Sequence, residues 1–140
     1  MRYGDINTEL RKLINAATFE YRGQPMKKLY LGEWDDDEGP HVRVLFHENT
    51  PDARELGFEG YQDNTGYIQV GFFIAATDKG LNYSLSNLAQ QFSSQFKRNN
   101  VPNSSELKLQ LLSVEKGDDV RIGGHMTVTC RANFTVGQCD

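Results

Sequence analysis

Five carboxylates stand within six positions around a single tryptophan in the segment EWDDDEGPH, residues 33–41. Clustered acidic side chains could bind a hard divalent cation or form a catalytic acid pair. A helix–loop–helix calcium site needs acids at alternate positions and a Glu at the twelfth. Counting from Asp35 puts Phe46 there, and consecutive acids cannot all point at one ion. We interpret residues 35–38 as a solvated turn, with a weak Mg²⁺ or Ca²⁺ contact at a subunit boundary as the alternative.

The histidines and cysteines do not form a catalytic or metal-binding pattern. His41 and His47 share one face of a predicted strand but stand six residues apart, about 20 Å at the rise of a strand. His125 begins the last predicted strand. The two cysteines, Cys130 and Cys139, fit a buried free thiol and a terminal residue better than a disulfide framework. No His-Glu-x-x-His, Cys-x-x-Cys or Gly-x-Ser-x-Gly pattern occurs. We therefore expect that the protein is not an enzyme, uses no cofactor and binds no metal tightly.

Composition narrows the classes of protein further. The 140 residues fit one domain, residues 1–140, and the net charge of −4 disfavours a broad nucleic-acid-binding face. No apolar run approaches the roughly 20 residues of a membrane span, and the N-terminus lacks the apolar stretch of a signal peptide. The first part of the chain is locally basic, with Arg11, Lys12, Arg22, Lys27 and Lys28. This basic segment is either a solvated helix face and linker or a rim that docks onto an acidic partner.

Two amphipathic helices and several strands must position these residues. One helix is predicted from a cap at Asp5 to an end between Thr18 and Glu20, and a second from about Asn82 to Lys97 after a turn at 78–80. The second helix carries an apolar seam of Leu81, Leu85, Leu88, Ala89, Phe92 and Phe96.

The strands are predicted from alternation of apolar and polar residues. Their ranges are 29–34, 41–47, 67–76, 107–114 and 125–136, with a turn at 117–119 and a long loop or irregular hairpin arm at 48–65. Most of these strands have a single apolar face, which is typical of an antiparallel sheet covered on that side by helices. The sequence therefore predicts an α+β fold: a two-layer, mostly antiparallel four- to five-stranded sheet with two helices packed on one face.

Four segments of the chain, taken in order, carry a resemblance to a known family. They are the helix DINTELRKLINAA; the acidic turn and strand DEGPHVRVLFHE; the run GYIQVGFFIAATDKG leading straight into LNYSLSNLAQQFSSQF; and the terminal strand HMTVTCRANFTV. In this order and spacing the chain resembles the tail terminator (tail completion) proteins of long-tailed bacteriophages, the group typified by lambda's minor tail protein U. The resemblance covers nearly the whole chain, and the family has no catalytic residues to transfer.

The resemblance implies a structural protein of the virion, assembled in the host cytoplasm. Such proteins are monomers in isolation or form a closed six-fold ring on the head-proximal end of the tail tube. The expected partners are other copies of the chain, the tail tube protein and the head–tail connector protein. DNA would pass through the ring without specific binding, since a lumen lined with carboxylates repels phosphate. No membrane is implied.

Two other classes of function stay open at this point. One is a different neck protein, such as a head-completion stopper or adaptor. The other is a small ligand-binding or enzymatic domain, which a deep pocket holding His47 or His125 beside carboxylates would favour.

The expected subunit-contact or channel-facing residues lie in the acidic turn and in the arm. They are Asp35, Asp36, Asp37, Glu38, Glu48, Arg54, Glu55, Glu59 and Tyr61.

Overall fold

A computed structural model of the chain describes residues 3–30, 39–48, 61–77, 79–96 and 108–139. Its helices are α1 (Tyr3–Ala16) and α2 (Leu81–Gln95). Its strands are β1 (Glu20–Tyr21), β2 (Gln24–Pro25), β3 (Lys27–Tyr30), β4 (His41–Glu48), β5 (Tyr61–Ala75), β6 (Lys108–Ile122) and β7 (His125–Cys139).

Five of the strands form one sheet in the order β3-β4-β5-β7-β6. Every neighbouring pair is antiparallel except β3 and β4, which are parallel. Strands β1 and β2 form a separate small hairpin. Both helices contribute to a single core on one face of the sheet, which we call the inner face. The predicted two-layer α+β fold is therefore confirmed.

The core is built from the alternation that the sequence shows. Ile68, Val70, Phe72 and Ile74 of β5 are all fully buried on the inner face. The inward residues of β7 from Val128 to Phe134 are buried beside them. From α2, the seam residues Leu85, Leu88, Ala89, Phe92 and Phe96 pack onto this surface, and α1 adds Leu10 and Ile14. Burial of apolar area on this scale is the main favourable term in folding.

The ends of the helices differ from the prediction. Helix α1 begins at Tyr3, before the predicted cap at Asp5, and ends at Ala16 rather than between Thr18 and Glu20. It ends there because Phe19 enters the core, where its ring meets Phe72 edge-on at 5.1 Å between centroids. The amino group of Lys28 donates to the carbonyl oxygen of Ala17, which satisfies an acceptor just beyond the helix. The predicted end of α2 at Lys97 lies outside the described residues.

A short hairpin that the sequence analysis did not predict connects α1 to β3. Tyr21 pairs with Gln24, and the two residues between them have positive φ angles, 54° for Arg22 and 78° for Gly23. Two central residues of this kind make the tight turn that suits the twist of a hairpin. Strand β3 begins at Lys27, two residues before the predicted start.

The sheet's long strands run further than expected. Strand β5 begins at Tyr61, not Tyr67, because its polar first residues pair with the end of β7, out to Cys139. Backbone pairing needs no apolar side chain, so alternation alone did not reveal it. The predicted turn at 117–119 is wrong: β6 continues to Ile122, and these residues form a bulge between the pairs of Lys116 and Asp119. The chain turns instead between Ile122 and His125.

Candidate functional site

The residues expected at subunit contacts fall mainly outside the described part of the chain. Asp35, Asp36, Asp37, Glu38, Arg54, Glu55 and Glu59 all lie there. Glu48 is the last residue of β4 and pairs with Gly66, while Tyr61 is the first residue of β5 and pairs with Cys139. The predicted loop over 48–65 is therefore too long, because strand residues occupy both of its ends. The alternative of a hairpin arm agrees with the antiparallel pairing of β4 with β5.

The base of this arm is a long backbone ladder. Strands β5, β6 and β7 have 15 residues each, about 50 Å at the rise of a strand. Helix α2 also has 15 residues, which span only about 22 Å. The sheet is thus roughly twice as long as the helix that covers it. Its described core reaches the pair of Phe134 with Gly66, and the ladder continues for five more pairs to Tyr61 and Cys139.

The outer face of the sheet, opposite the helices, carries a small buried cluster at one end. We call this the outer-face cluster; its members are Leu29, His41, Phe73 and Thr127. His41 and Phe73 stack with ring centroids 4.8 Å apart, and His125 meets His41 edge-on at 5.5 Å. The guanidinium of Arg43 lies 4.5 Å from the centre of the Phe73 ring. The outer face is therefore buried at this end, although a single apolar face is predicted for most of the strands.

The hydrogen bonds of His41 fix its tautomer. Arg43 can only donate, and its Nε lies 3.1 Å from Nε2 of His41, so that nitrogen must accept. The proton then sits on Nδ1, which donates to the carbonyl oxygen of Gly39 at 2.8 Å. Both ring nitrogens are used in these bonds while the ring is neutral. His41 is thus held as a structural residue, and its nitrogens are not available to a metal in this arrangement.

A second polar stack occupies the middle of the outer face. The Tyr67 ring stacks with His47 of β4, with ring centroids 4.8 Å apart. The guanidinium carbon of Arg131 from β7 lies 3.9 Å from the centre of the same Tyr67 ring. Arg131 also donates to Oε1 of Gln69 at 2.9 Å. Because β4 and β7 flank β5 on opposite sides, the tyrosine lies between the two partners. The ring is therefore already covered by its own chain, which argues against its use as a stacking platform for nucleic-acid bases.

Cys130 has the properties of a buried structural cysteine. Cys130 is a free thiol on the inner face and is almost fully buried. Burial raises the pKa of the Cys130 thiol to about 11, with Lys116 acting in the opposite direction and Asp119 in the same one. A thiol with so high a pKa is protonated at neutral pH and is a poor nucleophile. The backbone of Cys139 pairs with Tyr61.

Titratable groups also gather at the bulge of β6, but they do not form a metal site. The amino group of Lys116 lies 3.9 Å from Oδ1 of Asp119, too far for a hydrogen bond. Within the described residues, that oxygen has no hydrogen-bond partner, and neither has Oγ1 of Thr127. No group of three or more His, Cys, Asp or Glu side chains in this part of the chain could hold a metal ion. The expected absence of a bound metal stays a prediction.

The alternation of apolar and polar residues does not predict the outer-face cluster, although the sequence contains a sign of it. Residues 72–75, FFIA, form a continuous apolar run inside an otherwise alternating strand. A continuous run is typical of a strand that is buried on both faces. No sequence pattern indicates that His41 and His125 lie close together, because their contact depends on the order of the strands in the sheet.

Comparison with known proteins supports the fold. No family model and no curated protein matches the chain. A solved structure of a protein whose name states no function is similar over 97% of this chain and 96% of its own, with a TM-score of 0.74 and 15% sequence identity. At this identity the likeness concerns the fold alone. None of the helices described here has both the length and the apolar character that a membrane crossing requires.

Proposed function

We propose that this chain is a tail terminator of a long-tailed bacteriophage. It forms a ring on the head-proximal end of the tail tube, ends the polymerisation of the tube and offers the surface that joins the tail to the head. The observation that carries the proposal is the length of the ladder of β5, β6 and β7, which runs to the base of the arm. The order of the described elements also agrees with the four segments on which the family resemblance depends.

The length of the strands in this ladder supports the proposal. A compact domain of 140 residues has a radius of gyration of about 14 Å and hence a diameter of roughly 37 Å. Strands of about 50 Å exceed that diameter. Strands longer than the expected diameter of the domain favour contact with a neighbouring subunit. This arrangement suits a protein that works by assembly.

The chemistry of the described residues agrees with a structural role. The Cys130 thiol is protonated at neutral pH, and the two ring nitrogens of His41 are hydrogen-bonded to Arg43 and Gly39. These groups are used in packing and hydrogen bonding rather than arranged around an open site. We accordingly propose no enzymatic activity and no cofactor. We propose that the acidic turn lies at a subunit contact or at the channel, where carboxylates would repel the phosphates of passing DNA.

Deletion within the arm tests the proposed function. Strand β5 begins at Tyr61, so the deletion should remove Glu55 to Gly60 and leave the strand whole. The shortened chain should fold as a monomer, since it keeps every described helix and strand. It should fail to form rings, and tails assembled with it should have uncontrolled length. A matched control removes the same number of residues from the segment 101–106.

Charge reversal of the acidic turn separates its two possible positions. The variant changes Asp35, Asp36 and Asp37 to Lys. A channel position predicts rings that form but retard the passage of DNA, whereas a joint position predicts rings that do not close. If this variant and the arm deletion both gave normal rings and normal infectivity, the proposed roles of both segments would be refuted.

A further inference from the structure

Strand β6 is an edge strand with unusual exposure. Within the described part of the chain it pairs only with β7. Three of the four large hydrophobic side chains that are exposed in the described residues lie on it: Leu112, Val120 and Ile122, at 40%, 49% and 51% exposure. Unpaired edges with aliphatic side chains are sites at which another chain associates.

The bulge in β6 places carboxylates on this same edge. Between the paired residues Lys116 and Asp119, the strand carries Gly117 and Asp118 without ladder partners. Asp118 is exposed, and Glu115 is exposed just before the bulge. Lys116 is the one basic residue over 115–119, which leaves a net charge of −2. The middle of the β6 edge is therefore acidic.

The opposite edge of the sheet is basic. Strand β3 is the other edge strand and begins with Lys27, which is exposed. Helix α1 packs beside it and places Arg11 over the Tyr30 ring, with the guanidinium 4.0 Å from the ring centre. Lys12 is exposed on the same helix. Arg11, Lys12 and Lys27 therefore give this edge three exposed basic side chains.

The two charged sites lie at the same level along the strands. Cross-strand pairing joins them in two adjacent rows. The first row is Lys27, His41, Phe73, Thr127 and Val120. The second row is Lys28, Val42, Phe72, Val128 and Asp119. Two copies placed side by side at equal height would therefore bring the lysine edge of one against the acidic bulge of the other.

We propose that the β3 edge of one copy docks against the β6 edge of the next, with Lys27 meeting the bulge at Asp118. The inference rests on the proposed function as a ring-forming protein and names the contact that builds the ring. Opposite charges favour a second copy as the partner, because each edge complements the other. The acidic bulge excludes nucleic acid at β6, since phosphate binding depends on Lys and Arg.

The geometry of this contact predicts a closed ring rather than a dimer. A joint between two unlike edges leaves every copy with one edge still open, so assembly continues until the first copy meets the last. A joint without displacement along the strands favours closure, whereas a displacement at each step would build a helical filament.

A charge swap tests the contact. The variants are Lys27→Glu, Asp118→Lys and the double variant with both changes, measured in the full chain by sedimentation and native mass spectrometry and on cognate tail tubes by electron microscopy. Both positions are exposed, so folding should be unchanged, which thermal unfolding verifies. Lys79→Glu is the matched control, because Lys79 is exposed in the turn before α2 and lies on neither edge.

Each single reversal places like charges at the joint and should raise the concentration for half-maximal ring formation by roughly tenfold or more. The double variant restores opposite charges and should assemble within about threefold of the wild type, as should the control. Rings that form from the single variants at the wild-type concentration would overturn the inference. So would a double variant that is no better than the single ones.

The result also separates this inference from the proposed function. Wild-type rings that cap tail tubes, together with single variants that cap them equally well, would refute the edge contact and leave the function standing. An Asp118→Lys variant that forms rings in solution but no longer attaches to tubes would assign β6 to the tube protein and refute the contact. A wild-type protein that neither forms rings nor binds tubes would refute both.

Discussion

Truncation of Phe92 to alanine should remove the largest single contribution of α2 to the core. The Phe92 side chain is fully buried and stacks on Phe96 with ring centroids 4.6 Å apart and on Phe19 at 6.3 Å. Removing a buried phenylalanine costs about 3–5 kcal/mol through lost transfer energy and the cavity left behind. Because two aromatic pairs are lost as well, each worth about 0.5–1.5 kcal/mol beyond its buried area, we expect the upper part of this range.

Urea unfolding followed by circular dichroism measures this loss directly. A domain of this size has a stability of about 5–15 kcal/mol, so a loss in this range removes a large fraction of it and should strongly lower the urea midpoint. Tyr83→Ala is the matched control on the same helix, because that ring is 78% exposed and its removal should cost under about 0.5 kcal/mol. A loss below about 1 kcal/mol for Phe92→Ala would refute the assignment of the seam.

Three further predictions concern the strands and turns. Gly71→Ala should cost about 1 kcal/mol, because a Cβ there would lie 3.0 Å from Cε1 of Phe73, whose ring is held by its stack with His41. Gly124→Ala has open space around it and should be nearly neutral. Equal urea midpoints for the two variants would refute the reasoning. Arg22→Asn should raise stability by about 0.5 kcal/mol, since asparagine tolerates a left-handed backbone better than arginine does, and a lower midpoint would contradict this. Because burial raises the pKa of the Cys130 thiol to about 11 from a usual value of 9.0, its contribution to stability is complete below pH 9 and is lost as the pH rises towards 11. The Cys130→Ala variant should lack this alkaline loss, which unfolding between pH 8 and about 11 would detect.

The sequence predicts the elements that have a regular apolar pattern. The seam of α2 and the inner faces of β5 and β7 lie where alternation and helical spacing place them, because one-sided burial leaves a clear period in the sequence. The beginning of β5 at Tyr61 was not predictable in this way. Its first residues are polar, and they are strand only because the end of β7 supplies backbone partners from a segment more than seventy residues away.

The composition of a short segment likewise does not decide whether it forms a turn. Gly117 and Asp118 have the composition of a turn, yet they form a bulge, because β7 pairs with β6 on both sides of them. Arg22 and Gly23 do form a turn, although arginine is an unusual residue at a positive φ. In both cases the neighbouring strand decides the local conformation. The expected acidic turn and most of the arm lie outside the described residues, so their roles stay predictions.

Electron microscopy of the purified protein mixed with tail tubes tests the proposed function most directly. The tubes should be assembled from the tail tube protein of the cognate phage, with and without this chain present. The account predicts six-fold rings at one end of each tube and a narrow distribution of tube lengths when the protein is added. Tubes that stay uncapped and continue to lengthen at saturating protein would contradict it.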